Sequence, residues 1–157
     1  MYKNWASDNE VTKFLTWPTH SSEKVSQAVL DDWISQYPDK RFYQWAIVPK
    51  NDGAEPIGSI SVVEMKENIS AVQIGYCIEK KWWHKGITSE ALKAVMDFLF
   101  DTVDANRIEA KHDPRNPNSG KVMKKCGMKY EGTLRGADRN NQGICDVCYY
   151  GLLKSDR

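Results

Sequence analysis

"QIGYCIEKKWWHKGITSEALKAVMDFLF", residues 73–100, joins two hydrophobic periods through a loop that contains Gly86. Its first part is rich in β-branched and aromatic residues, which is typical of a buried strand. Its second part repeats apolar residues at helical spacing, as at Leu92, Val95 and Leu99. A loop that enters a helix N-terminus presents unpaired backbone N–H groups and the positive end of the helix dipole, which favour an anion. The stretch therefore predicts a strand, an anion-binding loop and a long helix.

The side chains of this loop fit an anion without identifying it. Gly86 permits close backbone approach, and Lys85 adds a point charge. Thr88 and Ser89 offer hydroxyl groups in the first helical turn. The phosphate-binding pattern G-x-x-x-x-G-K-[ST] is absent from the sequence. Taken alone, the loop is also explained by an ordinary strand-to-helix turn.

Further strand-like segments lie on both sides of the loop, bounded by turn residues. They cover residues 41–48, 56–65, 70–79, 106–112, 128–136 and 144–153. The first three predict an antiparallel meander. The fourth follows the long helix and predicts a parallel pair with the third through a right-handed crossover. The last two predict a hairpin whose turn lies at residues 137–143.

Cap residues predict three further helices. A short one follows Asp8. A longer one, residues 21–37, begins with a pair of serines as cap candidates, and its apolar residues recur at every fourth position. These residues are Val25, Val29, Trp33 and Tyr37. The third begins after Asn116, with proline at its first position, and ends at Gly127.

Length and charge exclude several classes of protein. A chain of 157 residues predicts one domain, residues 1–157. Its 22 basic and 21 acidic residues give no support to nucleic-acid binding, and no nucleic-acid motif is present. The sequence has neither a long apolar run nor a signal-peptide pattern, so we predict a cytoplasmic protein that does not bind a membrane.

The four cysteines predict neither a metal site nor redox chemistry. Cys145 and Cys148 form the only C-x-x-C pair, and no second pair of ligands stands at a comparable spacing. We therefore interpret all four as reduced packing residues.

Two separated motifs carry a resemblance to a known family. Residues 73–100 and "NPNSGKVMKKCGMKYEGTL", residues 116–134, resemble the GCN5-related N-acetyltransferases, specifically their RimJ/RimL branch; residues 4–18 are similar to the same branch. The resemblance implies a mixed α+β fold: a central, mostly antiparallel twisted sheet with one splayed parallel pair and about four flanking helices. It also implies acetyl-coenzyme A (acetyl-CoA) as co-substrate.

One feature of the family has no counterpart in the sequence. The family's opening strand should lie before Trp5, where the chain has no room for it. The strand near residues 42–48 would then be a sheet edge, which proteins usually cover or pair. A homodimer and a misplaced start codon are two alternatives that would account for this.

The resemblance assigns the loop to the pyrophosphate of acetyl-CoA and the Ile78 amide to the thioester oxygen. Trp83 stands where many members have glutamine or arginine, and His84 and Thr88 are bulkier than usual. The backbone donors do not depend on these side chains. The residues expected to bind acetyl-CoA are Ile78, Trp83, His84, Lys85, Gly86, Ile87, Thr88, Ser89, Asn116 and Lys121.

The family pattern N-x-x-S implies catalytic roles. It assigns Asn116 to the pantetheine arm and Ser119 to protonation of the departing thiolate, although both also fit simple helix capping. Asp138 matches a glutamate of the branch and is the predicted base, although it also fits a turn residue. Glu64 and His112 are alternative bases. An α-amino group, with a pKa near 8, needs little help to lose its proton.

The predicted function is transfer of acetyl from acetyl-CoA to a primary amine, by direct attack in a ternary complex. The predicted acceptor is the α-amino group of a protein or peptide N-terminus. The predicted acceptor cleft lies between the N-terminal helices and the last hairpin and contains Trp17, Trp33 and Asp138. A small amine, such as a polyamine, aminoglycoside or amino acid, is an alternative acceptor. A non-catalytic acyl-CoA-binding protein is a further alternative.

Overall fold

The computed structural model describes residues 1–50 and 53–157. The strands are β1 (Gln44–Ile47), β2 (Gly58–Lys66), β3 (Ala71–Ile78), β4 (Arg107–His112), β5 (Lys129–Asn140) and β6 (Gly143–Leu153). The helices are α1 (Asn9–Thr12), α2 (Glu23–Gln36), α3 (Ile87–Asp101) and α4 (Pro117–Lys125). Short turns of π- or 3₁₀-helix occur at Tyr2–Ala6, Glu67–Ile69, Lys80–Trp82 and Lys154–Asp156.

The six strands form one sheet in the order β1-β2-β3-β4-β6-β5. Every neighbouring pair is antiparallel except β3 and β4, which are parallel and joined by α3. The predicted meander, crossover and final hairpin are therefore confirmed. The parallel pairing covers only Ala71–Gln73 against Arg107–Glu109, so the two strands diverge beyond Gln73.

The core forms where α3 packs on the sheet. Leu92 and Leu99 of α3 have no exposed surface, and Ile60 and Ile108 of the strands are almost as buried. Burying each such side chain contributes about 1.5–3 kcal/mol. The predicted apolar face of α3 is thus confirmed, and it fixes the position of the loop that precedes the helix.

Helix α2 forms where it was predicted, but its apolar residues do not form a buried face. Its one fully buried residue is Ser26, whose hydroxyl oxygen lies 2.7 Å from His20 Nδ1. Ile34 and Tyr37 are 64% and 53% exposed. The helix packs mainly against the N-terminal turn, so its sequence period indicated a helix but not what it packs against.

The hairpin turn is shorter than predicted. Strand β5 continues to Asn140, and only two residues separate it from Gly143, whose φ of +94° suits glycine. Asp138 therefore lies on a strand opposite Cys145, not in a turn. A bulge between Leu134 and Asp138 interrupts the pairing, and residues 138–140, which were predicted to lie in the loop, pair with β6.

The predicted helix ends are largely confirmed. The Asp8 side chain accepts a hydrogen bond from the Glu10 amide at 2.8 Å. Gly127, with φ of +87°, follows the end of α4. Asn116 occupies the cap position of α4, but its side chain makes no capping hydrogen bond. In the described ranges, no helix is both long and apolar enough to cross a membrane.

Candidate active site

The gap between β3 and β4 leaves backbone groups of β3 free. The Glu79 amide donates to the Ile57 carbonyl at 2.7 Å. Because ladder bonds alternate between antiparallel strands, the N–H and C=O of Ile78 face away from β2. Strand β4 pairs only with the first residues of β3, so Ile78 faces the gap. Its carbonyl accepts from Trp83 Nε1 at 3.0 Å, and its amide is oriented toward the gap, as the predicted thioester contact requires.

The loop before α3 presents its amides in one direction. Gly86 has φ of +79° and His84 has φ of +60°, so the chain turns sharply here. Glu90 N donates to Gly86 O at 3.0 Å. No backbone acceptor within residues 1–50 and 53–157 takes the amides of residues 86–89. These donors and the helix dipole form a site suited to an anion.

Lys125 adds a charge that the sequence analysis did not assign. A Cβ placed on Gly86 would lie 3.4 Å from Lys125 Nζ. The lysine therefore reaches across from α4 to the loop before α3. No local pattern in the sequence of α4 indicated this contact.

A cavity of about 280 Å³ lies over the loop, and we call it the donor cavity. It brings together eight of the ten residues predicted to bind acetyl-CoA: Ile78, Trp83, His84, Gly86, Thr88, Ser89, Asn116 and Lys121. Lys85 and Ile87 do not line it. Lys85 is exposed, with Nζ 4.7 Å from the centre of the Trp82 ring, and Ile87 packs against the core.

A second cavity of about 600 Å³ adjoins the donor cavity, and we call it the acceptor cavity. Trp17, Trp33 and Asp138 line it, so the predicted combination of N-terminal segment and last hairpin is present. The two cavities share six lining residues: Phe14, Leu15, Tyr76, Cys77, Asn116 and Ser119. A molecule in one cavity can therefore meet a molecule in the other near Ser119.

Tyr76 and Ser119 are in direct contact where the cavities meet. The Tyr76 hydroxyl lies 3.0 Å from Ser119 O and 3.1 Å from Ser119 Oγ. Burial raises the pKa of Tyr76 well above its usual value, so the phenol keeps its proton. Tyr76 belongs to the segment 70–79 that was predicted as a strand, and no local pattern in the sequence indicated its partner.

The three candidate bases differ in what surrounds them. Asp138 Oδ2 lies 3.0 Å from Lys111 Nζ, which holds the carboxylate at the cavity wall. Glu64 is exposed and has no ion-pair partner in the described part of the chain. His112 Nε2 is buried against α4, since a Cβ on Gly120 would lie 2.5 Å from it. His112 lines the acceptor cavity, but Nδ1 lies 2.8 Å from the Asp113 carbonyl oxygen and Nε2 is packed against Gly120, which makes it a weaker candidate than Asp138.

The N-terminal wall of both cavities is held by the tip of the β5–β6 hairpin. Asn141 Nδ2 donates to Thr12 O and Trp17 O, both at 2.8 Å, and its backbone amide donates to Leu15 O at 3.2 Å. These bonds fix the segment that carries Phe14 and Leu15 across the mouth of the site.

An ion pair between the buried Asp113 and the partly exposed Arg115 supports the same region. Asp113 accepts bonds from the Arg115 guanidinium, the shorter at 2.6 Å, and from Asn140 Nδ2 at 2.8 Å. The hydrogen bonds from Arg115 hold the pKa of Asp113 well below its usual range. Arg115 also lies over the Phe14 ring, 5.9 Å from its centre.

All four cysteines are free thiols, as expected for packing residues. Cys77 lines both cavities, where burial raises its pKa. A thiol in this state is a poor nucleophile, because the thiolate is the reactive form.

Known proteins share this architecture. The family model "Acetyltransferase (GNAT) domain" matches residues 1–129. The uncharacterized N-acetyltransferase p20 of Bacillus licheniformis is 32% identical over 155 residues, covering 96% of this chain and 84% of the relative. The putative ribosomal N-acetyltransferase YdaF of Bacillus subtilis is 27% identical over 136 residues, covering 87% of this chain and 73% of the relative.

The solved structures agree on the fold. The ribosomal-protein-S5-alanine acetyltransferase of Vibrio fischeri superposes with a TM-score of 0.84 at 22% identity, covering 98% of this chain and 86% of that one. The family model and the relatives are those of N-acetyltransferases, which favours an enzyme over the non-catalytic alternative. The chain therefore belongs to the GNAT acetyltransferase family and is an acetyl-CoA-dependent N-acetyltransferase.

Proposed function

We propose that this enzyme acetylates the α-amino group at the N-terminus of a protein or peptide, by direct attack in a ternary complex. The observation that carries the proposal is the junction of the donor and acceptor cavities at Ser119. An amine that enters from the acceptor side would reach a thioester held on the donor side without a covalent enzyme intermediate. The protonated state of Cys77 supports this, because it leaves no activated thiol at the junction.

The donor cavity has the groups that acetyl-CoA requires. The free amides of residues 86–89 and the nearby ammonium of Lys125 would hold the pyrophosphate. Lys121 lines the same cavity and would contact a phosphate of the nucleotide end. Asn116 would contact the pantetheine arm, and the Ile78 amide would donate to the thioester oxygen.

Ser119 and Asp138 are proposed to move the protons. Ser119 would protonate the departing thiolate, and Asp138, acting through water, would take the proton of the amine. A weak base suffices, since an α-amino group has a pKa near 8 whereas a lysine side chain is near 10.4. This difference favours an N-terminal amine over a lysine acceptor.

The relatives support a protein acceptor. The B. subtilis and V. fischeri proteins are named for ribosomal acceptors, the former as a putative enzyme. The aromatic residues Trp17 and Trp33 of the acceptor cavity could contact the first side chains of a peptide. A small amine remains the alternative acceptor, and the cytoplasmic location and the homodimer remain predictions.

Detection of released thiol with a set of amines tests the proposal. Peptides with a free N-terminus should be acetylated at that amine, as shown by mass spectrometry, and the same peptides with a blocked N-terminus should not react. Initial rates with both substrates varied should give intersecting double-reciprocal lines. Turnover of polyamines or aminoglycosides alone would contradict the protein acceptor, and parallel lines would contradict direct attack.

A further inference from the structure

Tyr76 has no part in the proton transfers above, yet its hydroxyl lies at the junction of the two cavities. The hydroxyl's hydrogen-bond partners within the described ranges both belong to Ser119: the carbonyl oxygen at 3.0 Å and Oγ at 3.1 Å. Tyr76 is on β3 and Ser119 is on α4, so this contact joins the two elements that flank the junction. The pair therefore fixes the place of the Ser119 side chain relative to β3.

The direction of the hydrogen bonds follows from the chemistry of the two hydroxyls. A carbonyl oxygen can only accept, and each hydroxyl has one hydrogen to give. Because burial keeps Tyr76 protonated, its hydrogen is given to the carbonyl oxygen or shared with Oγ of Ser119. In the arrangement where Tyr76 donates, the hydrogen of Ser119 Oγ remains available to the cavity.

We propose that Tyr76 is a positioning residue that holds Ser119 Oγ with its hydrogen free for the departing sulfur. This inference rests on the proposed function, since it assigns a task to Ser119. Holding a reacting group in one geometry lowers the barrier, because the entropy of orientation is lost before the reaction.

The atoms balance as follows. The nitrogen of the neutral amine forms a bond to the thioester carbonyl carbon, and the carbon–sulfur bond breaks with its electron pair on sulfur. One proton leaves the nitrogen through water to Asp138. The proton of Ser119 moves to sulfur, and Ser119 regains a proton from solvent. Tyr76 keeps its proton throughout, so it should not contribute a titration to the rate.

The test is a double-mutant cycle on turnover of the best acceptor found. Tyr76→Phe removes the hydroxyl and should lower kcat about 3- to 10-fold, the effect of one hydrogen bond. The KM for acetyl-CoA and the pH profile should not change. Ser119→Ala should lower kcat about 100-fold, as expected for a general acid. The double variant should be no slower than Ser119→Ala, because Tyr76 acts only through Ser119.

Tyr130→Phe is the matched control. Tyr130 is exposed on β5, and its hydroxyl also contacts a single hydroxyl, Thr133 Oγ at 2.7 Å. This variant should keep the wild-type kcat. Calorimetric titration with coenzyme A shows that each variant is folded and retains the donor cavity.

Three results would overturn the role of Tyr76. They are a wild-type kcat in Tyr76→Phe, a double variant whose loss equals the product of the two single losses, and a shifted pH profile, which would make the phenol itself an acid. Failure of the proposed function looks different. In that case the wild-type protein would turn over no peptide amine, and the role of Ser119 and Tyr76 would fall with it.

Discussion

The two ends of the β3–β4 pair differ in where their polar groups find partners. At the closed end, Ala71–Gln73 and Arg107–Glu109 form a regular parallel ladder. Glu109 there accepts bonds from Lys66 at 2.7 Å and from Arg107 at 2.8 Å. At the open end, residues 74–78 face a gap that both cavities share.

The comparison shows how one pair of strands supports both stability and binding. At the closed end the hydrogen-bond donors and acceptors are paired within the protein. This pairing offsets the free energy that is lost when charged side chains are removed from water on folding. At the open end the strands separate, and the backbone donors there keep their hydrogen-bonding capacity for a ligand. Variants at the closed end should therefore lower the stability and leave the affinity for coenzyme A unchanged.

The largest expected effect is a loss of coenzyme A affinity on substitution of Gly86 in the loop before α3. Gly86→Val places a β-branched residue at φ of +79°, where its Cβ would also approach Lys125 Nζ. Rearrangement of the loop should lower the affinity for coenzyme A about 100-fold, equivalent to about 2.7 kcal/mol. Isothermal titration calorimetry measures this affinity directly.

Gly127→Val is the control for Gly86→Val, because it introduces the same backbone strain outside the proposed binding loop. Gly127 has a similar φ of +87° and no atom within 4 Å of an added Cβ. This variant should lose stability but keep its affinity for coenzyme A. Equal losses of affinity in the two variants would mean that the loop before α3 has no special role.

A change at the closed end should show the opposite pattern. Glu109→Gln removes the charge shared by Lys66 and Arg107, and we expect the free energy of unfolding to fall by about 2 kcal/mol. Urea unfolding gives this value. Glu131 is an exposed partner of Arg107, and Glu131→Gln should lower the free energy of unfolding by less than about 1 kcal/mol. A drop in coenzyme A affinity in Glu109→Gln would contradict the independence of the two ends.

The ion pair of the open end should give a pH-dependent stability. The pKa of Asp113 is lowered in the folded state by Arg115, so its stabilisation is present above the unfolded value of about 3.9. It is lost as the pH falls toward the lowered folded pKa. Asp113→Asn should thus cost about 1.5 kcal/mol at pH 7, and the cost should shrink progressively as the pH falls from about 4 toward 2, measured by urea unfolding. A constant difference between wild type and variant would contradict this sign.

The smallest expected effect is on the KM for the acceptor, when the contact between the β5–β6 hairpin tip and the N-terminal segment is weakened. Asn141→Ala removes two hydrogen bonds to the N-terminal segment, and we expect the KM for the acceptor to rise about 3-fold. Gln142→Ala, in the same exposed turn, should leave it unchanged. Steady-state kinetics at saturating acetyl-CoA compare the two variants. An unchanged KM in Asn141→Ala would show that the wall is held by other contacts.

Much of the fold could be predicted from short-range signals. The period of α3, the cap at Asp8 and the glycine after α4 are local, and the structure confirms them. The hairpin turn was misplaced because β5 continues past a bulge near Gly136, and residues 138–140 pair with β6. Helix α2 was predicted correctly, but the exposure of its apolar residues was not. The spacing of apolar residues indicates a helix and does not indicate which surface that helix packs against.

Some features of the candidate site were likewise predictable from adjacent residues, and others depend on residues far apart in the sequence. The loop at Gly86 was predicted from a few adjacent residues, because a glycine between a strand and a helix determines the backbone turn and the free amides together. The contact of Lys125 with that loop was not predictable, nor was the Tyr76–Ser119 pair, whose members are 43 residues apart. Asn141 reaches partners 124 and 129 residues away.

The sequence by itself determined which segments are strands and helices and where an anion could bind, because periodicity, capping and glycine act over a few residues. Only the tertiary structure decided which side chains meet at the junction of the two cavities. That choice depends on the divergence of β3 from β4 and on the docking of the hairpin tip against the N-terminal segment, both of which are long-range contacts.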